Sequence, residues 1–269
     1  MSLQHFYLET QVISTIEDSD FLLDLASEDY KHARVLRLQA PEHIAVIDAA
    51  QDYFECEIVS FDQEGLRVRI AQKLTSSAIP KLVLVQGLAK GEKMDTVFRH
   101  ATELGVSGFI PFASKRSIVK LDAKKKASRL KRWQTIVKSA AAQSGQSRMP
   151  EVVEPVQLAD LPSYLSQASC VLVCWEEAFN TKSLRCALES ISVHTNQEKH
   201  AITQPSDMCK DAVVVVVGPE GGLAEEEVEA LLAMNEQASL ISLGPSILRT
   251  ETAGVVAPAL VLYELGGLQ

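Results

Sequence analysis

Residues 213–217 are five consecutive valines, and the pentapeptide GPEGG follows at 218–222. β-Branched side chains favour extended backbone. A strand with one wet face alternates apolar and polar residues, so an unbroken apolar run fits a strand buried on both faces, as in a parallel sheet covered by helices. A chain that contains such a strand is directed toward layered α/β architecture. The glycine turn then lies at the strand's carboxyl end, where open α/β sheets bind ligands. Gly221 and Gly222 carry no Cβ and let a ligand approach bare backbone there.

The surrounding pattern agrees. From residue 80 onward, strand-like and helix-like segments alternate. KLVLVQGLA (81–89), VSGFIPF (106–112), CVLVCWE (170–176), VVVVVG (213–218) and ASLISLG (238–244) read as strands. KMDTVFRHATELG (93–105) places Met94, Val97, Phe98, Ala101 and Leu104 on one helical side, with Gly105 as its stop. Residues 122–143 form a second helix with an apolar stripe of Leu130, Trp133, Val137 and Ala140. Further helical patterns fall at 181–190 and 223–234. The expectation is a mostly parallel α/β sheet over residues 81–269.

Residues 1–73 differ. HFYLE, HIAVIDA, YFECEIVSF and LRVRIA are short and partly alternating, and EDYKHARVLRLQ is the one helical candidate. This suggests a small barrel or sandwich, with residues 74–80 (LTSSAIP) as linker. Residues 192–210 are polar and aperiodic and read as an exposed loop; His194 and His200 sit there without partners that would complete a metal site.

The net charge of −9 conceals an asymmetry. Residues 81–150 hold 15 Lys and Arg against 4 Asp and Glu, which leaves the remainder at −20. Residues 114–138 carry ten basic side chains and one acid, Asp122. A basic run that opposes the sign of the whole chain points to a polyanion site, since such clusters neutralise phosphates and release counterions. The five cysteines are odd in number and lack paired CxxC spacing, which argues against a disulfide framework or a structural zinc; no metal is expected. Cys170 and Cys174 read as small hydrophobes. No apolar stretch approaches the length of a membrane span, and the first residues lack a signal-peptide pattern, so a soluble cytoplasmic protein is expected.

The turns carry the chemical information. GxGxxG and GxxxxGK[ST] are absent after every strand, which argues against a nicotinamide-dependent oxidoreductase or a P-loop enzyme. GPEGG leads instead into LAEEEVEAL, whose first turn holds Glu225, Glu226 and Glu227. These carboxylates complement the helix dipole but repel a phosphate, so the ligand should be neutral or cationic. SLGPSILRTETAG (242–254) similarly ends a strand at Gly244 and enters a helix with Arg249, Thr250, Glu251 and Thr252 near its start. Helix capping explains any one of these, but not an Arg and a Glu together at a sheet's carboxyl end. Two such turns imply one pocket lined mostly by backbone.

GPEGGLAEEEVE (218–229) and LGPSILRTETA (243–253) resemble signature segments of the RsmE family, SPOUT-type methyltransferases acting on a uridine N3 of 16S ribosomal RNA in the small ribosomal subunit. KGEKMDTVFRHATELGVSGFIPFASKRSIVK (90–120), KRWQTIVKSAAAQSGQSRMPEV (131–152) and KHARVLRL (31–38) are similar to the family's other blocks, so the resemblance covers nearly the whole chain. It implies a PUA-like β-barrel RNA-binding domain at 1–73, a SPOUT α/β domain with a C-terminal trefoil knot at 81–269, S-adenosylmethionine (AdoMet) as cofactor, and a homodimer. It also implies cofactor contacts at Gly218, Pro219, Glu220, Gly221, Gly222, Leu243, Gly244, Ile247, Leu248 and Thr250, with Cys174, Trp175 and Glu176 as a third loop. Ser246 and His5 stand where family members commonly have Arg.

On this reading Arg249 stabilises charge on the uracil carbonyls, while Glu251 orients Arg249 or accepts the N3 proton. The uridine must be unpaired, because N3 lies on the pairing edge. His5, Arg34, Arg37, Lys115, Arg116, Lys124, Lys125 and Arg132 are the expected RNA contacts, with small-subunit ribosomal RNA, in an assembled or nearly assembled 30S particle, as the partner. Transfer RNA is the alternative substrate, and a non-catalytic RNA-binding ribosome assembly factor is the alternative class.

Overall fold

The computed structural model describes residues 3–16, 18–76, 79–178, 181–189, 191 and 204–268. His194 and His200, with most of the expected loop at 192–210, lie outside them. The chain forms two compact units, Met1–Ser77 with Lys138–Met149, and Ala78–Val137 with Pro150–Gln269.

The smaller unit contains β1 (Gln4–Tyr7), β2 (Phe21–Leu22), α1 (Ser27–Val35), β3 (His43–Ile47), β4 (Tyr53–Phe61) and β5 (Leu66–Lys73), with strand order β1-β3-β4-β5-β2. β1 and β3 are parallel and the other pairs antiparallel. β4 shows why its sequence makes a half-buried strand: Phe54, Cys56 and Ile58 point inward and alternate with half-exposed Tyr53, Glu55 and Glu57. The inward set packs with Phe6, Ile13, Ile44, Leu66 and Val68. Asp48 is fully buried, and its carboxylate accepts hydrogen bonds from the backbone N–H groups of Ile13, Ala50 and Asp52. The segment 138–149 joins this unit through Ala141, which packs with Tyr7 and Ile47.

The larger unit runs β6 (Leu82–Gly87), α2 (Lys93–Leu104), β7 (Gly108–Phe112), α3 (Ala123–Ser144, whose last turns belong to the smaller unit), β8 (Glu151–Val152), α4 (Pro162–Leu165), β9 (Cys170–Cys174), α5 (Leu184–Leu188), α6 (Pro205–Cys209), β10 (Val213–Val217), α7 (Glu225–Ala233), β11 (Ala238–Ile241) and α8 (Thr250–Glu264). Its six strands are ordered β11-β9-β10-β6-β7-β8, and every pairing is parallel. The mostly parallel α/β sheet expected from the sequence is present.

The valine run behaves as its composition demands. Val213, Val215 and Val217 enter the core beneath α2, α3 and α8, while Val214 and Val216 enter the one beneath α4, α6 and α7. β6 and β9 divide their side chains in the same way. Each valine removed from water on both sides of the sheet contributes roughly 1.5–3 kcal/mol. Gly105 ends α2 with φ 101°, a left-handed geometry that glycine adopts without steric cost. Trp133 and Val137 of α3 are buried, as their spacing predicts.

One segment departs from expectation. Residues 205–209, within the stretch read as an exposed loop, form α6 and bury Met208 and Cys209 against the sheet. Two apolar residues are too few to produce a visible period.

Candidate functional site

The three adjacent strands β11, β9 and β10 end at one edge of the sheet, and their following turns enclose a cavity of about 400 Å³. Its wall is made by Cys174–Glu176 after β9, Val217–Glu220 and Gly222 after β10, Ser242–Leu248 after β11, and Arg249, Thr250 and Ala253 at the start of α8. Lys93, at the start of α2, completes it. The volume falls in the range of small-molecule sites.

Local chemistry fixes these turns. Thr250 Oγ1 donates to the Gly218 carbonyl at 2.5 Å and accepts from Gln86 Nε2 at 2.9 Å. Gln86 is fully buried in the middle of the sheet, so this chain of bonds ties β6, the β10 turn and α8 together. Gly254, one turn into α8, has no room for a Cβ because the Gln86 side-chain oxygen and Val97 lie against it. Gly222 has φ 68° and closes the turn by donating to the Pro219 carbonyl at 2.9 Å; a Cβ there would run into the Glu176 carboxylate. Gly244 has φ 112°, and the space a Cβ would occupy is open, so the cavity reaches its backbone. Trp175 Nε1 donates to the Leu223 carbonyl at 3.3 Å, linking the β9 and β10 turns.

The electrostatics are those of a paired rim. Lys93 Nζ bridges Glu220 Oε1 at 3.1 Å and Glu251 Oε2 at 3.2 Å. Burial works to raise the Glu220 carboxyl, but hydrogen bonds from the Lys90 N–H and from Lys93 outweigh it and hold it below its ordinary range. The hydrogen bond to Glu220 likewise raises Lys93. Burial pushes the Cys174 thiol up to about 12, so it lines the wall as a neutral group. Arg249 is exposed at the cavity and forms no ion pair with another described residue.

Twelve of the thirteen expected cofactor positions line this cavity. Gly221 does not: its Cα faces the Arg116 backbone, and its carbonyl accepts from Arg116 Nη1 at 3.3 Å. Glu251 does not orient Arg249 but pairs with Lys93, because the first turn of α8 directs it toward the start of α2. Lys93 and Gln86 escaped the sequence reading. Their partners lie more than a hundred residues away, and the only available signal was that both follow or end a strand at the same sheet edge.

The expected RNA contacts divide. His5 is buried, with Nδ1 within 2.9 Å of the Leu3 carbonyl and Nε2 within 3.0 Å of the Tyr53 hydroxyl, and burial lowers its pKa. Both ring nitrogens are thus engaged within the smaller unit, and the structure offers RNA no exposed donor at this position. Arg34 is exposed, with its guanidinium over Tyr30 and donating to the Tyr30 hydroxyl, and Arg37 is exposed with φ 57°. Lys115 pairs with Glu226, Arg116 with Glu177 at 3.5 Å, Lys125 with Asp122 at 3.1 Å and Arg132 with Asp95 at 2.6 Å, while Lys124 is exposed. The Lys115, Arg116 and Lys125 pairs are exposed and worth only about 0–1 kcal/mol, so an anion can compete for these cations, whereas Arg132 is held by two hydrogen bonds to the buried Asp95 carboxylate. Glu227 serves the fold instead: it is buried and accepts from the Ala224 and Lys115 backbone N–H groups at 3.0 and 2.7 Å.

Comparison with known proteins agrees with this geometry. Residues 75–262 match the model of an RNA methyltransferase domain family. The chain is 30% identical over 267 residues to ribosomal RNA small subunit methyltransferase E of Bacillus subtilis, covering 97% of each. Two solved structures are similar over nearly their whole lengths. One is a methyltransferase from Legionella pneumophila in complex with SAM (TM-score 0.75, 26% identity, 98% of each chain covered). The other is a ribosomal RNA small subunit methyltransferase E from Neisseria gonorrhoeae bound to S-adenosyl methionine (TM-score 0.73, 26% identity, 97% of each chain covered). The chain belongs to the ribosomal RNA small subunit methyltransferase E family.

Proposed function

We propose that this protein transfers a methyl group from AdoMet to N3 of a uridine in 16S ribosomal RNA. The observation that carries the reading is the convergence of the β9, β10 and β11 turns on one cavity that exposes the backbone of Gly218, Gly222 and Gly244 beside Arg249, which has no ion-pair partner among the described residues. AdoMet when bound supplies a methyl group on a positively charged sulfur, and a phosphate-free ligand of that kind suits a wall that carries Glu176 and Glu220. The Gly218–Gly222 and Leu243–Leu248 turns would hold the cofactor through backbone groups and apolar side chains.

The protein's own contribution is then alignment and charge. As the uracil N3 loses its proton and attacks the methyl carbon, negative charge spreads to the flanking carbonyl oxygens, and Arg249 donates hydrogen bonds to them. Glu251, neutralised by Lys93, positions the start of α8 rather than receiving the proton; the proton leaves toward solvent at the open side where Arg249 stands. Alignment of the reacting atoms supplies much of the acceleration.

In the same reading the smaller unit is a PUA-like RNA-binding barrel and the larger a SPOUT domain whose C-terminal segment is knotted; the bond from Thr250 to the Gly218 carbonyl supports the close crossing this requires. The substrate is an assembled or nearly assembled small subunit. The active form is a homodimer, in keeping with Leu260 and Tyr263 exposed on α8. Calorimetric titration with AdoMet tests the enzymatic class: saturable one-to-one heat per chain supports it, and absence of heat favours a non-catalytic RNA binder.

A further inference from the structure

The other half of the sheet's carboxyl edge holds a second cavity, of about 610 Å³, beyond the ends of β6, β7 and β8. Its floor is apolar, built from Leu88, Val119, Leu121 and Leu158. Its cations are Lys115, Lys120 and Lys126. Two carboxylates also line it, but neither is free: Glu226 pairs with Lys115, and both oxygens of Glu227 accept backbone N–H groups. Lys120 and Lys126 form no ion pair with any described residue, so even with the Glu227 carboxylate counted the cavity keeps a net positive charge, carried by two lysine ammoniums over an apolar surface.

This combination selects among ligands. A bare phosphate would satisfy the lysines and leave the floor in water, whereas an apolar ligand would desolvate the lysines without a partner. A nucleotide satisfies both, with its base on the floor and its phosphates at the rim. The surrounding residues 81–150 supply the strongest positive charge in an otherwise acidic chain. The position also suits one strand. The loop that carries Lys115 and Lys120 packs on the glycine turn of the first cavity, where the Gly221 Cα faces the Arg116 backbone. A uridine must leave its stack to expose N3, which leaves its neighbour unstacked and available.

We propose that this second cavity holds an unpaired nucleotide next to the methylated one, its base against Leu121 and Leu158 and its phosphates on Lys120 and Lys126. The proposal rests on the reading of the first cavity as the methyl-transfer site. It assigns Lys120, Lys126 and Leu158 a part in selecting RNA, none of which touches the cofactor cavity.

The test uses the full chain and a short labelled single-stranded RNA, followed by fluorescence anisotropy across a salt series, with AdoMet calorimetry and urea unfolding as controls. Each lost phosphate contact to a single strand lowers the slope of log K against log[salt] by about 0.7, so the double variant Lys120→Ala/Lys126→Ala should lower it by about 1.4. Leu158→Trp, which fills the floor, should weaken RNA binding about tenfold at an unchanged slope. AdoMet affinity and the urea midpoint should stay as in the unaltered protein. An unchanged slope in the double variant overturns the proposal, as does unchanged affinity in Leu158→Trp or a parallel loss of AdoMet binding in either. Should the unaltered protein transfer no methyl group to any RNA, the activity proposed above fails, whereas these binding readouts still decide the second cavity.

Discussion

Thr250→Val removes a single oxygen at nearly constant volume, and the structure says what that oxygen does. Its hydrogen goes to the Gly218 carbonyl at 2.5 Å, and its lone pair receives Gln86 Nε2 at 2.9 Å. Valine leaves both groups short of a partner, and an orphaned buried polar group costs about 1–3 kcal/mol. The Gly218 carbonyl is only half-buried and can recruit water, while Gln86 keeps a longer bond of 3.3 Å to the Gly87 carbonyl. The joint cost therefore falls toward the low end, at about 2 kcal/mol, or roughly 4–8 °C in melting temperature for a unit of this size. Thr250→Ser keeps both bonds and loses one methyl, about 0.8 kcal/mol. Urea unfolding of the two variants, paired with AdoMet calorimetry, separates the terms. Valine should be the less stable and the weaker binder, because the β10 turn and the start of α8 lose their tie. A Val variant as stable as Ser, with AdoMet affinity intact, would refute the role assigned to this hydroxyl.

Three further outcomes follow from the same geometry. Arg249→Ala should lower kcat by about 10²–10³, the usual loss for one charge-stabilising donor, with AdoMet affinity within about twofold; unaltered turnover removes Arg249 from the chemistry. Lys93→Met should lose the Glu220–Lys93–Glu251 bridge with a defined pH signature. Glu220 is depressed in the folded state, so its share of the stability is present above about 4.5 and lost as pH falls. Lys93 is raised, so its share is present below about 10.5 and lost as pH rises. The advantage of the unaltered protein over Lys93→Met should therefore be full near neutrality and shrink toward both extremes in pH-dependent urea titrations, and a constant difference contradicts the bridge. Gly222→Ala should weaken AdoMet binding more than Gly244→Ala, since both force a left-handed φ on alanine but only at Gly222 does the new methyl meet a carboxylate; calorimetry showing the reverse order would place the cavity wall elsewhere.

The parts of this structure legible from sequence are those written in periods. The uniform valine run of β10 and the stripe of α3 repeat at the spacing of their elements, so burial imprints them directly on composition. The glycine turns were legible because a left-handed or closely approached backbone leaves few other residues possible. What escaped lacks a period. Lys93 meets Glu220 and Glu251 only because the sheet brings the start of α2 beside two turns distant in the chain, and nothing around residue 93 encodes those partners. His5 was expected to meet RNA from its place in the family pattern, and nothing in the sequence around it reveals that Tyr53 and the Leu3 carbonyl engage its ring. α6 looked like loop because two buried residues, Met208 and Cys209, make no repeat. Gly221 read as a cofactor contact because its turn does line the cavity, although this one residue faces the other way.

The central claim is that the cavity at the ends of β9, β10 and β11 directs a methyl group to one atom of one RNA base. Small subunits from cells lacking this protein, incubated with purified protein and isotopically labelled AdoMet, then digested to nucleosides for mass spectrometry, test it directly. The account predicts label in 3-methyluridine alone, incorporated about 10²–10³-fold more slowly by Arg249→Ala. Label in any other nucleoside, or transfer to transfer RNA but not to the small subunit, would contradict it.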